Sequence, residues 1–332
     1  CSLYSQKTKK LFRSDSILKL TISMPYKEVI LKRHEAIEHN ARLSYIDNDG
    51  TAFNHMIKVK VRGKTRADKQ ICSFPPLQLR FSKNDVENSI FKGQKKVKLV
   101  AHCQNTRDFE EYVQIEYLVY KLYQHISPYS FNVRLCQINY IDEKKPNQEN
   151  IHYGFLIESI GHLAKRNDMT EFKGKIRNQE AINKDNLEKL VLFQFMIGNL
   201  DWSITERHNM KLIKGEKGAL PIAVPYDFDY SGIVNIPYAV PPEQLYLSDV
   251  KTRLFRGFCR PDRYQGTIDF YKSLEGELRN EVTMLSTLSG RSVNSVNKYL
   301  DSFFEIIESE KQIDKKITKA CKVDHTHAFE NE

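Results

Sequence analysis

Four residues in the segment 201–229 have the side chains that phosphoryl transfer requires. Asp201 follows a long apolar stretch, Asn209 precedes a strand-like run, and Asp227 and Asp229 end the next such run. In that chemistry one carboxylate orients or deprotonates the nucleophile, while an amide oxygen and a second carboxylate hold Mg²⁺ against the nucleotide phosphates. The order predicts Asp201 as the catalytic residue and Asn209 and Asp227 as metal ligands, with Asp229 as a further candidate ligand.

These side chains can act together only if the chain folds back between them. The segment 214-KGEKG-218 suits a turn, and the runs on both sides of it are strand-like. We therefore predict a strand–turn–strand hairpin over 210–226. Residues that alternate on a regular strand point to opposite faces, so we expect only one of the two later carboxylates, that of Asp227, to face the site.

The first half of the sequence has the alternating apolar pattern of half-buried strands. A helix is predicted within it at 106–126, capped by Thr106 and ended by Ser127 and Pro128. The predicted strands are 18-LKLTIS-23, 57-IKVKVRG-63, 77-LQLRF-81, 97-VKLVAHC-103, 131-FNVRLCQINYI-141 and 153-YGFLIE-158.

Helical patterns dominate from about residue 180 onward. Asp185 and Glu188 form a capping-box-like start of a helix that ends near Gly198. Two long helical patterns follow, at 267–288 and 292–310.

The expected class is therefore α+β. We expect a flexible lead-in at 1–20 and a strand-rich N-terminal lobe with one helix at 21–160. A helical C-terminal lobe at 161–332 would carry the four polar residues.

Composition narrows the class of partner. The chain of 332 residues has 51 Lys and Arg against 42 Asp and Glu, a net charge of +9, which fits an anionic partner such as a nucleotide or a generally basic surface. The cations are scattered and no zinc-finger spacing or aromatic RNP-like strand accompanies them, so we expect no nucleic-acid partner. No apolar run reaches the roughly 18 residues of a membrane span, so none is predicted.

The cysteines bear on the compartment of the protein. Cys72 and Cys103 flank predicted strands and can bridge in an oxidising compartment, with buried free thiols as the alternative. A chain that begins at Cys1 suits a bacterial lipoprotein with a lipid anchor there, exported to the periplasm or cell surface. An arbitrary start is the other explanation, and it leaves a cytoplasmic location open.

The motifs around the four polar residues resemble those of a known family. The segments 198-GNLDWS-203, 208-HN-209 and 225-PYDFD-229 resemble the catalytic loop and metal-binding segment of the atypical protein-kinase-like spore-coat CotH proteins and, more distantly, of HipA-type kinases. The resemblance covers roughly residues 55 to 235. It implies a two-lobed protein-kinase-like fold, ATP with Mg²⁺ or Mn²⁺ as cofactors, and phosphoryl transfer to a protein or small-molecule hydroxyl.

The same resemblance extends upstream, to residues that would bind the nucleotide. The segments 61-VRGKT-65 and 76-PLQLRF-81 look like the Arg-Gly strand turn and the basic strand of the family, and 98-KLVAHC-103 and 152-HYGFLIESI-160 follow in the corresponding order. The resemblance implies that Arg80 or Lys98 contacts the α- and β-phosphates and that Glu116 partners a strand lysine. It also makes Glu158 a candidate for cofactor binding.

Two departures from the family pattern keep other functions open. Trp202 follows the catalytic Asp where the family often has Arg, and Gly63 stands without a full glycine-rich loop. One alternative is therefore a catalytically inactive relative that binds nucleotide, protein or glycan. A second is a metal-dependent hydrolase that uses Asp201, His208, Asp227 and Asp229; it would take a transition metal, whereas an all-oxygen site prefers Mg²⁺ or Mn²⁺.

Overall fold

A computed structural model describes residues 7–35, 37–47, 49–257 and 261–322. Cys1, the residue expected to carry a lipid anchor, lies outside these ranges. The β-strands are β1 (Leu18–Met24), β2 (His39–Ile46), β3 (Ala52–Val61), β4 (Leu77–Phe81), β5 (Lys96–Val100), β6 (Val133–Asp142), β7 (Ile151–Ile157), β8 (Thr170–Glu171), β9 (Met210–Lys214) and β10 (Ile222–Pro225). The α-helices are α1 (Tyr26–Leu31), α2 (Arg107–Ile126), α3 (Ile160–Arg166), α4 (Lys184–Ile197), α5 (Pro261–Met284), α6 (Gly290–Glu308) and α7 (Glu310–Ile313).

The chain divides into two compact units. One contains the residues up to Tyr117 together with Asn132–Arg166, and the other contains Leu118–Phe131 and the residues from Asn167 onward. We call them the barrel unit and the helical unit. Within the described ranges, no helix is long and apolar enough to cross a membrane.

The barrel unit is a closed barrel in the order β1-β2-β3-β4-β5-β7-β6. All neighbours in it are antiparallel except β1 and β6, which run parallel and close the ring. The strands alternate between buried and exposed residues, as β2 does from His39 to Ile46, because successive side chains point to opposite faces. The inward side chains, among them Ile22, Leu43 and Leu79, form one apolar core.

The expected two-lobed protein-kinase-like fold is wrong for this structure. It requires a sheet-based N-terminal lobe, whereas the strands form a closed mixed barrel. Two features that close the barrel were not evident from the sequence patterns. The strand β2 was not predicted, and β1 pairs in parallel with β6, which places Leu18 opposite Cys136. Pairing between segments so distant in the chain leaves no local signal in the sequence.

Other sequence predictions fit the structure closely. The helix predicted at 106–126 is α2, and the predicted hairpin over 210–226 is formed by antiparallel β9 and β10. The helix α4 ends at Gly198 as predicted. Its start differs, because the Asn183 side chain caps it by accepting a hydrogen bond from the backbone N–H of Asn186, in place of the expected Asp185 and Glu188 box.

Of the two alternatives for Cys72 and Cys103, a bridge or buried free thiols, the structure has the bridge. A disulfide joins these residues in the barrel unit, with their Cα atoms 4.5 Å apart. Cys72 precedes β4 and Cys103 follows β5, and the neighbouring Phe74 forms an isolated β-bridge with Cys103. The disulfide therefore ties the loop before β4 to the end of β5.

Candidate acid–base and metal site

The end of α4 sets the position of Asp201 in the helical unit. Gly198 ends the helix in the left-handed conformation, with φ of 63°. A Cβ at this glycine would collide with the hydroxyl of Tyr299, so the close approach also requires glycine. Two residues before Asp201, the Asn199 side chain accepts a hydrogen bond from the Asp201 backbone N–H at 3.0 Å. Helix end and turn together fix where the carboxylate projects.

Trp202, the residue after Asp201, is part of the core. Its ring is buried and its Nε1 donates to the carbonyl of Asn199 at 3.1 Å. The indole thus locks the turn that carries Asp201 and does not reach out toward a ligand.

Two side chains donate hydrogen bonds to the Asp201 carboxylate. His208 Nε2 lies 2.7 Å from Oδ1, and Asn209 Nδ2 donates to Oδ2 at 2.9 Å. Asn209 Nδ2 also donates to the Asp201 carbonyl at 2.8 Å. A short turn brings the three residues together, closed by a hydrogen bond from the Ser203 N–H to the His208 carbonyl at 3.0 Å.

Electrostatics around Asp201 involve two cationic groups. The hydrogen bond that His208 donates to Asp201 raises the pKa of His208, and the charges of Asp201 and Asp227 add to this effect, against the opposing effects of burial and Arg256. Burial lowers the pKa of Arg256 to about 10, while the charge of Asp201 opposes that decrease. Arg256 Nη1 donates to the carbonyls of Leu200 and Trp202 at 2.7 and 3.0 Å. This cation therefore stabilises the backbone on both sides of Asp201.

The two later carboxylates converge. The strand β10 ends at Pro225, and Asp227 then takes a left-handed conformation with φ of 64°. As a result, Asp227 and Asp229 each place a carboxylate oxygen within 4.8 Å of the other. The expectation that only one of them faces the site assumed a regular strand, and it fails because the strand has already ended.

Residues of the helical unit hold this acidic segment in place. The Asp227 N–H donates to the Tyr120 hydroxyl at 2.8 Å, and the Tyr120 ring packs edge-on against Phe228 with centroids 4.7 Å apart. The Tyr238 hydroxyl donates to Asp229 Oδ2 at 2.9 Å. Each of these contacts fixes an acidic side chain or its backbone.

The hairpin brings the two halves of the site together. In the register of β9 and β10, Met210 lies opposite Pro225, and the Tyr226 N–H donates to the Asn209 carbonyl at 3.0 Å. Asn209 and Asp227 therefore sit at the same open end of the hairpin.

The backbone at this end of the hairpin is strained. Arg207, Asn209 and Asp227 all have positive φ angles, of 53°, 50° and 64°. Non-glycine residues in this region cost free energy, and such residues cluster at ligand and active sites. The strain thus falls on two of the residues that the sequence singled out as metal ligands.

The remaining predicted site residues belong to the barrel unit. Arg80 lies on the outside of β4, exposed, with its Nη1 2.9 Å from Glu38 Oε1. Lys98 lies on β5, opposite Gln78 on β4 and Ile157 on β7.

The two glutamates of that set form buried ion pairs. Glu116 Oε2 lies 2.8 Å from Arg66 Nη2, and Glu158 Oε2 lies 3.2 Å from Arg166 Nε. Glu158 also accepts the Asn132 N–H at 3.1 Å. Burial raises the pKa of Glu158, with the Arg166 charge and the Asn132 hydrogen bonds opposing it.

Sequence reasoning missed several residues around Asp201. It passed over Arg256 and Tyr238, and it considered His208 only as a member of the hydrolase site, not as a hydrogen-bond partner of Asp201. Arg256 and Tyr238 stand in segments with no motif, so their sequence gave no signal. His208 directly precedes Asn209, and that adjacency was the one usable signal.

The site therefore joins three carboxylates, an amide and a histidine in the helical unit. No protein-family model matches this sequence, and no curated protein matches it either.

Proposed function

We propose that the helical unit carries the catalytic and metal-binding groups of a phosphotransferase that uses ATP with Mg²⁺ or Mn²⁺. One observation carries the proposal: Asp227 and Asp229 converge to within 4.8 Å, at the hairpin end that also presents Asn209 bonded to Asp201. Phosphoryl transfer needs these two functions side by side, a divalent-cation site and a carboxylate that acts on the acceptor hydroxyl.

The donor atoms available suit a hard cation. Asn209 uses its Nδ2 on Asp201, which leaves its Oδ1 as a neutral oxygen ligand. With the carboxylates of Asp227 and Asp229 the donors are all oxygen, and such a set favours Mg²⁺ or Mn²⁺ over zinc or copper. When bound, the cation would neutralise charge on the nucleotide phosphates.

Asp201 is the group proposed to act on the acceptor. Its carboxylate would accept the proton of an acceptor hydroxyl as that oxygen attacks the γ-phosphorus and ADP leaves. Asn209 and the Asn199 turn orient it, because they fix its carboxylate and its backbone. The acceptor would be a protein or a small molecule with a hydroxyl group.

One observation favours a second candidate, a binding module that holds metal and nucleotide without transfer. Both oxygens of the Asp201 carboxylate already accept hydrogen bonds, from His208 and Asn209. A base that keeps both partners throughout would be poorly placed to take a further proton. Transfer therefore requires His208 to loosen its bond.

Export belongs to the proposal as well. A disulfide between Cys72 and Cys103 supports an oxidising compartment such as the periplasm or cell surface, since stable disulfides are rare in reducing ones. Mass spectrometry of protein from fractionated cells, with free thiols blocked at lysis, tests this. Recovery of the oxidised protein in the cytoplasmic fraction alone would contradict export.

The test of function separates the two roles. Asp227→Asn should weaken Mg-ATP binding about 100-fold or more, because even a partner outside the ligand shell is worth about 10- to 100-fold in metal affinity. Asp201→Asn should leave Mg-ATP binding almost unchanged and lower transfer by about 10²-fold or more. Calorimetry and a radiolabel transfer assay with protein and small hydroxyl acceptors give the two readouts.

A matched control removes the same charge elsewhere in the helical unit. Asp269 is exposed on α5 and accepts a hydrogen bond from Gln265, which an asparagine can still accept. Asp269→Asn should change neither readout. If the parent binds Mg-ATP and transfers nothing, the binding module is the correct reading. If Asp227→Asn binds Mg-ATP as the parent does, the proposed metal site is wrong.

A further inference from the structure

The outer wall of the barrel unit contains a groove that the proposed function does not use. Its volume is about 710 Å³, within the roughly 300–1,000 Å³ typical of small-molecule sites. Outward-facing residues of β1, β2, β3 and β6 form its floor, and residues 10–14 form one side. We call it the wall groove.

A row of short polar side chains crosses the floor of the wall groove. The strand registers place Asn139 opposite Thr21, Thr21 opposite Ser44, and Ser44 opposite Asn54, so one polar residue from each of four strands lies in line. All four line the groove. Together they give a ligand several hydrogen-bonding positions at fixed spacing.

The hydrogen bonds within this row decide what it offers to a ligand. Ser44 Oγ donates to Asn54 Oδ1 at 2.7 Å, and the Asn150 N–H donates to Asn139 Oδ1 at 3.0 Å. Both amide oxygens are therefore used within the protein, and the Nδ2 groups of Asn54 and Asn139 are left to donate. The floor is thus rich in donors and suits a ligand rich in acceptors.

The charges around the groove also favour a ligand rich in acceptors. Four cationic residues line it, Lys10, Arg13, Lys19 and the buried Arg134, against the single carboxylate of Asp47 among the lining residues. These cations and the amide donors together favour an anion, since charge-assisted hydrogen bonds are about twice as strong as neutral ones.

A buried arginine holds the side wall in place. Arg134 Nε donates to the Ser16 carbonyl at 2.6 Å, its Nη2 donates to Ser16 Oγ at 3.0 Å, and its Nη1 donates to the Leu11 carbonyl at 3.3 Å. Leu11 and Phe12 of the same segment are buried. The wall that carries Lys10 and Arg13 is therefore anchored at Leu11 and Ser16, and the groove is a built feature of the barrel unit.

We propose that the wall groove binds a phosphate monoester. A phosphate monoester carries up to two negative charges and several acceptor oxygens, which matches a donor-lined groove with four cations. The apolar Ile46 and Ile151, 69% and 45% exposed, also line the groove and would cover the body of the ester. Soluble sugar phosphates and the headgroup of phosphatidic acid share this chemistry.

Calorimetric titration of the full chain with glucose 6-phosphate tests the soluble form, with glucose as the unphosphorylated control. Flotation with phosphatidylcholine vesicles that contain phosphatidic acid tests the lipid form, against vesicles of phosphatidylcholine alone. We expect saturable binding in at least one phosphate arm and none in its control. Absence of binding in both phosphate arms would overturn the proposal.

Paired substitutions locate the binding. Asn54→Asp keeps the acceptor for Ser44 and replaces the Nδ2 donor by an anionic oxygen, so it should weaken binding about tenfold or more. Asn40→Asp makes the same change at an exposed position of β2 that does not line the groove, and should leave binding within about twofold.

A second pair tests the cations and guards against a folding defect in the first. Lys19→Glu should also weaken binding about tenfold or more, whereas Lys96→Glu, exposed on β5 and outside the groove, should not. Circular dichroism checks that each variant is folded. If groove and control variants lose affinity equally, the binding comes from overall charge and the assigned groove is wrong.

Discussion

Asn209 donates its amide to both the backbone carbonyl and the carboxylate of Asp201, at 2.8 and 2.9 Å. This double contact fixes the rotation of the Asp201 side chain. Because the amide nitrogen is used on Asp201, the amide oxygen of Asn209 is the atom left for the proposed cation site. One side chain thereby links the proposed base to the proposed cation site.

Asn209→Gly should reduce both functions at once. Glycine accepts the positive φ of 50° at this position, so the substitution removes the side chain without adding backbone strain. We expect transfer to fall by about 10²-fold and the affinity for Mg-ATP to fall by about tenfold or more. Steady-state kinetics and calorimetry measure the two losses.

Arg207→Gly is the matched control for that variant. Arg207 lies in the same turn, has a φ of 53°, and makes no hydrogen bond to Asp201 among those the structure describes. The control should keep both functions within about threefold of the parent. Equal losses in both variants would mean that the turn, and not the Asn209 side chain, is what matters.

The rate of transfer should rise with pH as His208 loses its proton. Asp201 raises the pKa of His208 above the ordinary 6.5. The imidazole therefore stays protonated, and bonded to the Asp201 carboxylate, at pH values above 6.5. Once His208 is neutral it binds the carboxylate less tightly, and Asp201 becomes able to accept a proton. A pH–rate profile beside the NMR titration of His208 tests whether the two midpoints coincide.

The contribution of the same pair to the free energy of unfolding should fall with rising pH, whereas the rate of transfer should rise. Because the folded pKa of His208 is raised, the pair stabilises the protein fully below 6.5, and this contribution is lost as pH rises through the folded pKa. His208→Gln should remove this pH dependence and flatten the rate profile. A rate that falls with rising pH in the parent would contradict the proposed release of Asp201.

Removal of the disulfide should destabilise the barrel unit. Cys72 and Cys103 are separated by 31 residues, and a loop of that length corresponds to about 3 to 4 kcal/mol in the chain-entropy model. The double variant Cys72→Ala, Cys103→Ala should lose about this much free energy of unfolding in urea titrations. Reductant should lower the free energy of unfolding of the parent by a similar amount and leave that of the double variant unchanged. An equal response in both proteins would assign the effect to other thiols.

Loss of the buried ion pair between Glu158 and Arg166 should lower the free energy of unfolding of the barrel unit. Arg166→Met leaves a buried carboxylate without its cation, which typically costs about 3 to 5 kcal/mol. Glu158 should then have a still higher pKa in the folded state, so the variant should become more stable as pH falls and the carboxyl takes up a proton.

A double variant tests whether the loss comes from that uncompensated charge. Glu158→Gln keeps an acceptor for the Asn132 N–H, so adding it to Arg166→Met should recover about half or more of the lost free energy of unfolding. Denaturant unfolding across the pH range measures this. No recovery would mean that the packing of Arg166, not its charge, supports the barrel unit.

The sequence predicted those features that local patterns encode. The strands 18–23 and 77–81, the helix that ends at Gly198 and the hairpin over 210–226 depend on alternation, capping and turn residues that lie close together in the chain. Asp201 and Asn209 lie in the short segment between that helix and that hairpin. They are close in the structure because so few residues separate them.

Features that depend on long-range pairing or on single backbone angles were not predictable in this way. The barrel closes through β1 and β6, and no periodicity records which strands pair. Asp227 and Asp229 converge because one residue takes a φ of 64°, which the regular-strand assumption excluded. Arg256 reaches the Asp201 turn from a segment with no motif, so only the three-dimensional structure reveals it.

The parallel seam between β1 and β6 also governs when the barrel can form. Leu18–Met24 finds its partner only after Cys136–Asp142 has been synthesised, so the first strand must wait with one edge unpaired while the intervening chain emerges. Contacts between segments so far apart slow folding, and an unpaired edge invites association with other chains. The barrel unit should therefore fold slowly, and its newly made first strand stays open to association with other chains until β6 has been made.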